Sequence, residues 1–167
     1  MNRTRFFTIA LSLFALGAAS EAGAQQLRLE DLMQLTDKRK DTAFVSTFLR
    51  SKGFDRRGVI DREHAVFMGD ADKKAKRFTE MVIVNILSGE IRGFQYSTRH
   101  LDNYTQFRRD LAQSTFFTGV PTKAEPGEIA ESFEAREYKI FVESIRNQTR
   151  YVIHIVPRAP TRKGAAQ

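Results

Sequence analysis

The sequence predicts an α+β domain in which two units, each a helix followed by an antiparallel meander, form a sheet covered by helices on one face. Helical hydrophobic spacing gives way to strand-like runs twice along the chain, and each run contains two strands joined by a short turn. Neither unit offers enough apolar surface alone, so the two sheets are expected to join or abut. The 167 residues, 41% hydrophobic and 28% charged, suffice for one domain with a buried core.

The N-terminal residues have the pattern of a secretory signal peptide over 1–24. Arg3 and Arg5 precede an uncharged run from 6 to 20, and Ala22-Gly23-Ala24 supplies the small residues of a cleavage site. This run is shorter than the roughly 20 residues of a membrane-spanning helix, so no transmembrane span is expected in the mature chain. We expect a periplasmic or secreted protein after cleavage near Ala24, with one domain over 25–157 and a disordered basic tail over 158–167.

Two helices are expected before the first strands. The first carries leucines at helical spacing over 27–35, and the second begins at position 41 or 42, where Asp or Thr can cap it. Gly53 ends the second helix, because it can adopt the left-handed conformation that folds Phe54 back on Leu49. The phenylalanines predicted to lie in the core are Phe44, Phe48 and Phe54.

The first unit continues with strands. One is expected over 64–68 after a turn-rich stretch, and a hairpin pairs 78–87 with 90–98 around Ser88-Gly89. If Leu87 lies opposite Glu90, the residues that pair on the core face are Ile83 with Phe94 and Met81 with Tyr96. The residues expected on the opposite, open face are Glu80, Val82, Gln95, Phe141 and Val152.

The pattern restarts near residue 100. Asp102 or Asn103 can cap a helix. A shift of 62 positions then aligns apolar residues of the two units, and it matches Val45, Leu49 and Phe54 with Phe107, Leu111 and Phe116. Strands over 138–145 and 150–156 are expected to pair Val142 with Ile153 and Ile140 with Ile155, whereas 129–135 form a strand or a short helix. The units 41–99 and 100–157 reflect either a duplication or two similar units that arose separately.

Sequence motifs for catalysis and metal binding are missing. His64, His100 and His154 do not have zinc-protease spacing, and no Gly-x-Ser-x-Gly turn occurs. The segment from Asp70 begins like a calcium loop but continues with Lys73 and Lys74, which are not metal ligands. We therefore predict no catalytic residue, no metal and no cofactor.

Basic residues are clustered, and we assign them as candidate binding residues. They are Lys38, Arg39, Lys40, Arg56, Arg57, Lys73, Lys74, Arg108 and Arg109. Most lie in expected loops or at element ends, where binding residues concentrate, although a solvated surface gives the same pattern. Nucleic acid is not expected as a partner, because the aromatic residues fall on faces assigned to the core.

The chain contains a Leu-rich helix, followed by the run Phe48-Leu49-Arg50-Ser51-Lys52-Gly53-Phe54 and by two helix-plus-meander halves. In these features it resembles small uncharacterised exported proteins of Gram-negative bacteria. The layout is also similar to that of the β-lactamase-inhibitory proteins, which bind an enzyme through a concave sheet face, but their cysteines are missing here.

We expect a non-catalytic binding module, whose partner is a protein or an anionic glycan or lipid surface of the envelope. The alternatives are a small periplasmic hydrolase, whose pocket would gather His100, His154 or the glutamates over 128–134, and an idle component of an envelope assembly.

Overall fold

The computed structural model describes residues 27–72, 77–122, 128–145 and 150–158. Three helices and eight strands occupy these ranges. The helices are α1 (Leu29–Asp37), α2 (Thr42–Ser51) and α3 (Leu101–Gln113). The strands are β1 (Asp55–Asp61), β2 (His64–Asp72), β3 (Arg77–Leu87), β4 (Glu90–Thr98), β5 (Thr118–Val120), β6 (Glu128–Glu134), β7 (Tyr138–Ile145) and β8 (Tyr151–Pro157).

All eight strands belong to one sheet in the order β1-β2-β3-β4-β8-β7-β6-β5, and every neighbouring pair is antiparallel. The sheet therefore consists of two four-stranded meanders, β1 to β4 and β5 to β8, that join where β4 pairs with β8. Helix α2 precedes the first meander and α3 precedes the second. The predicted α+β architecture of two helix-plus-meander units is confirmed.

The helices pack on one face of the sheet, and the hydrophobic core lies between the helices and the sheet. Helix α1 contacts both β4 and β8, so it covers the junction of the two meanders, while α2 contacts β1 and α3 contacts β4. The fully buried aliphatic and aromatic side chains of this layer include Leu32, Leu35, Leu49, Phe54, Phe94, Tyr96, Phe107, Leu111, Ile140, Ile153 and Ile155.

The end signals of α2 are those the sequence predicts. The Asp41 carboxylate accepts a hydrogen bond from the Phe44 N–H at 2.9 Å, and Gly53 has a φ of 81°. The Phe54 N–H then donates to the Leu49 carbonyl at 2.8 Å, which completes a Schellman motif and buries Phe54. Phe44 and Phe48 stack on each other with ring centroids 5.5 Å apart. Both pack against the core but are only partly buried, so the prediction that they are core residues overstates their burial.

The predicted pairing of β3 with β4 is wrong by one residue because β4 contains a bulge. Leu87 does pair with Glu90, and Ser88 and Gly89 form the turn with positive φ. The register then shifts near Asn85, and Val84 rather than Ile83 pairs with Phe94. As a result Glu80, Val82 and Val84 face the helices, while Met81 and Ile83 lie on the opposite face.

The second hairpin has the predicted register, since Val142 pairs with Ile153 and Ile140 with Ile155. The ambiguous segment over 129–135 is a strand, β6. The alignment of the two units by a shift of 62 positions is wrong at its last pair, which matches Phe54 with Phe116. Phe116 is 48% exposed, and its neighbour Phe117, which is 8% exposed, is the buried residue.

Strands β1 and β5 were not expected. The sequence of β1 is polar and its pairing is interrupted by two irregularities, and β5 has only three residues, so neither gives a strand-like hydrophobic pattern.

The chain termini are described only in part. The proposed signal peptide over 1–24 and residues 159–167 lie outside the described residues. Arg158 does not belong to a disordered tail, because its N–H donates to the Glu137 carbonyl at 2.8 Å and its guanidinium pairs with Glu134 at 3.2 Å. Across the described ranges, no helix has the length and apolar character needed to cross a membrane.

The bulged β4 requires glycine at position 93. A Cβ there would lie 2.7 Å from the Ile155 carbonyl oxygen and 2.8 Å from Val156 Cγ1. We expect Gly93→Ala to lower the free energy of unfolding by about 1–3 kcal/mol, because the backbone of β8 must move. The measurement is urea denaturation, with Gly58→Ala as the control, since a Cβ on Gly58 meets nothing within 4 Å. Equal stability of the two variants would contradict the close approach.

Candidate functional site

The sheet face opposite the helices is here called the open face, and it brings together residues from five strands. The register places one row of side chains across five strands, consisting of Val66, Ile83, Gln95, His154 and Phe141. A second row consists of Met68, Met81, Ser97, Val152 and Glu143. Of the residues predicted for this face, Gln95, Phe141 and Val152 lie on it, whereas the β4 bulge turns Glu80 and Val82 toward the helices.

Six apolar residues lie on this face, in two groups on either side of the polar Gln95 and Ser97 of β4. Together they are called the open-face strip, which comprises Val66, Met68, Met81, Ile83, Phe141 and Val152. Val66 is already buried by its neighbours and the other five are half-buried. No helix among the described residues packs over the strip. Methionine and aromatic side chains around a few polar groups are typical of surfaces that contact other proteins.

Charged residues at the second-unit end of the strip are paired. Lys139 lies 3.2 Å from Glu134 and 4.9 Å from the centroid of the Phe141 ring. His154 Nε2 lies 3.7 Å from Glu143. Burial lowers the pKa of His154, although the Glu143 carboxylate acts in the opposite direction. The neutral imidazole is therefore favoured, and it adds a polar group to the face rather than a fixed charge.

A cavity of about 260 Å³ lies at the first-unit end of the strip, and we call it the arginine pocket. Its lining residues are Met68, Phe78, Thr79, Glu80, Met81, Ser97, Arg99 and Arg150. Ser97 is 2% exposed, and its hydroxyl has no hydrogen-bond partner within the described residues. The pocket thus combines two guanidinium groups, a buried unpaired hydroxyl and apolar walls.

Beneath the sheet, Glu80 is the centre of a buried hydrogen-bond cluster. It is 1% exposed, and its Oε1 accepts hydrogen bonds from the Tyr96 hydroxyl at 2.5 Å, Asn103 Nδ2 at 2.7 Å and Thr98 Oγ1 at 3.3 Å. Its Oε2 has no partner in the described part of the chain. Burial raises the pKa of Glu80, and the donors oppose this only in part. Burial and the adjacent Glu80 also raise the pKa of Tyr96, so the cluster favours protonated groups and links β3, β4 and α3.

A second cavity of about 830 Å³ lies on the helix side, between α1 and α3. Its apolar lining includes Met33, Phe107 and Phe117, and its acidic residues are Glu30, Asp102 and Asp110. It is separate from the open face.

The predicted basic residues do not form one described surface. Lys38, Arg39 and Lys40 share the loop between α1 and α2, and Arg109 is exposed on α3. Arg108 makes a two-point ion pair with Glu131 of β6, so it ties α3 to the sheet, and this contact raises its pKa. The side chains of Arg56 and Arg57 in β1 are not described, and Lys73 and Lys74 lie outside the described residues.

The two arginines that line a pocket, Arg99 and Arg150, were missed. Neither belongs to a run of lysines and arginines in the sequence, and only the pairing of β4 with β8 brings their strand ends together.

The groups expected for a hydrolase do not converge in the arginine pocket. Glu131 is engaged by Arg108, and Glu134 pairs with Lys139 and Arg158. His100 Nε2 lies 3.2 Å from the Thr79 hydroxyl, and His154 is in the middle of the open face. Within the described ranges, no three histidine or acidic side chains are grouped to hold a metal ion.

Comparison of this chain with models of protein families, with curated proteins and with solved structures finds no match. The function is therefore argued from the open face and its pocket.

The raised pKa of Glu80 makes stability depend on pH. Its stabilising contribution is complete below the ordinary value of 4.5 and is lost as the pH rises through the folded pKa, because the folded state retains the proton longer. We expect Glu80→Gln to weaken this loss, so the variant is at least as stable as the parent at pH 7. The measurement is the free energy of unfolding across roughly pH 4 to 8. The control is Glu90→Gln at an exposed turn, and equal pH slopes in all three proteins would contradict the assignment.

Proposed function

We propose that the protein is an exported, non-catalytic binding module that holds an acidic protein partner against its open face. The observation that carries this proposal is the open-face strip, which places six apolar side chains on a sheet surface without a described covering element. Export rests on the signal-peptide pattern of residues 1–24, and a periplasmic or secreted location follows from it.

The size of the strip supports a protein partner. Its residues lie on β2, β3, β7 and β8, which with β4 between them occupy five neighbouring positions in the sheet, and strands are about 4.8 Å apart, so the strip is roughly 20 Å wide. A standard protein interface covers about 800 Å² on each partner and has an apolar centre with a polar rim. Gln95, His154 and the paired Lys139 and Glu134 supply polar groups at and around the apolar centre.

The charge of the chain supports an acidic partner. The sequence has 27 lysines and arginines against 20 acidic residues, a formal charge of +7, and two arginines line the pocket at one end of the strip. Long-range attraction to an acidic surface speeds association and is weakened by salt. A glycan or lipid surface is less suited to the strip, because it does not present a fixed apolar surface whose shape complements the strip.

The resemblance to β-lactamase-inhibitory proteins, which bind an enzyme through a concave sheet face, stays a prediction from the sequence layout. The resemblance concerns architecture and assigns no partner to this chain.

The test is site-specific photo-crosslinking in cells that export the protein. A photo-reactive amino acid at position 83 should crosslink to one acidic protein, whereas the same group at position 47, an exposed site on α2, should not. Crosslinks from position 83 only to lipid, to glycan or to a second copy of the chain would refute the proposal.

The crosslinked protein then provides a quantitative prediction. Ile83→Asp should weaken binding of the purified partner about tenfold or more, because it places an unpaired carboxylate in an apolar interface. Binding is measured by calorimetry, and circular dichroism verifies that the variant is folded. Thr47→Asp is the matched control and should bind normally. Normal binding by Ile83→Asp would show that the partner uses another surface.

A further inference from the structure

We infer that the arginine pocket binds a small organic anion that carries an apolar group. The inference does not rest on the protein partner proposed above, although Met68 and Met81 belong both to the pocket and to the open-face strip. Its volume of about 260 Å³ equals roughly eight to nine water molecules at about 30 Å³ each. A ligand of this size is a single aromatic ring or a short acyl chain with one acidic group.

The charged part of the ligand is indicated by the two arginines. Arg99 follows the end of β4 and Arg150 precedes β8, so the pairing of these strands brings the two guanidinium groups to the same pocket. A guanidinium presents N–H groups in a planar fork that matches the two oxygens of a carboxylate or phosphate.

The buried hydroxyl of Ser97 is an independent indication of a polar ligand. Ser97 is 2% exposed, it lies on the open face beside Met81 and Val152, and its Oγ has no partner among the described residues. An unsatisfied buried hydroxyl costs free energy, which an anion oxygen would recover by accepting its hydrogen bond.

The apolar part of the ligand is indicated by the remaining walls. Met68, Phe78 and Met81 line the pocket, and methionine adapts its shape to an aromatic or aliphatic group. Glu80 is the acidic residue among the lining residues, and its Oε1 is already engaged by Tyr96, Asn103 and Thr98 on the helix side. Burial favours its neutral form, which limits repulsion of an anion.

The test is titration of the purified mature protein with benzoate, phenyl phosphate and neutral benzamide at constant ionic strength. We expect saturable binding of at least one anion, with chemical-shift changes at the amides of Met81 and Ser97, and about tenfold weaker binding of benzamide. Binding of benzoate alone identifies a carboxylate site, and binding of phenyl phosphate alone identifies a phosphate site. Equal affinity for benzamide, or equal affinity for inorganic phosphate without the ring, would overturn the inference.

Variants locate the site. Arg150→Gln should weaken anion binding about tenfold, Arg150→Lys less because the charge remains, and Ser97→Ala a few-fold. Arg109→Gln, at an exposed position on α3, is the matched control and should bind as the parent does. Unchanged affinity of Arg150→Gln and Ser97→Ala would place the anion elsewhere and overturn the inference.

One further variant separates this inference from the proposed function. Ile83 is not among the lining residues, so Ile83→Asp should lose the protein partner and keep the anion. Loss of the anion in Ile83→Asp, with the fold intact, would count against an independent pocket.

Discussion

The pairing of β4 with β8 is the interaction on which the rest of the structure depends. It joins two meanders into one sheet, with Tyr96 opposite Ile153, and it creates the broad surface that α1 covers on one side. Without this pairing β4 and β8 would each present an unpaired strand edge. The same pairing aligns the rows of the open face and brings Arg99 and Arg150 to one pocket, so the proposed sites depend on it as fully as the core does.

The sequence was sufficient to predict the elements whose signals are local. The Asp41 cap, the Gly53 helix end and the Ser88-Gly89 turn each depend on a few adjacent residues, and the second hairpin has a regular alternation. The prediction was wrong where one extra residue changed the outcome. The bulge in β4 exchanged the two faces of β3, since strand side chains alternate with a period of two, and it moved Glu80 from the open face to the core.

The candidate site was predicted less well, for a related physical reason. Runs of basic residues are visible in a sequence, but the ion pairs that these residues form are not. Arg108, predicted as a binding residue, forms an ion pair with Glu131. Arg99 and Arg150 gave no signal, because their proximity arises from strand pairing across the two units. Likewise, the open-face strip draws its members from β2, β3, β7 and β8, and these strands come to lie on either side of β4 through a strand order that local patterns do not contain.

The position of β8 in the chain has a consequence for how the domain folds. Its partner β4 ends at Thr98, whereas β8 begins at Tyr151, so the central pairing closes a long loop in the chain. Contacts between such distant residues form slowly, because loop-closure entropy precedes the gain from pairing. The joining of the two meanders through β4 and β8 is therefore expected to be the slow step in folding of the domain.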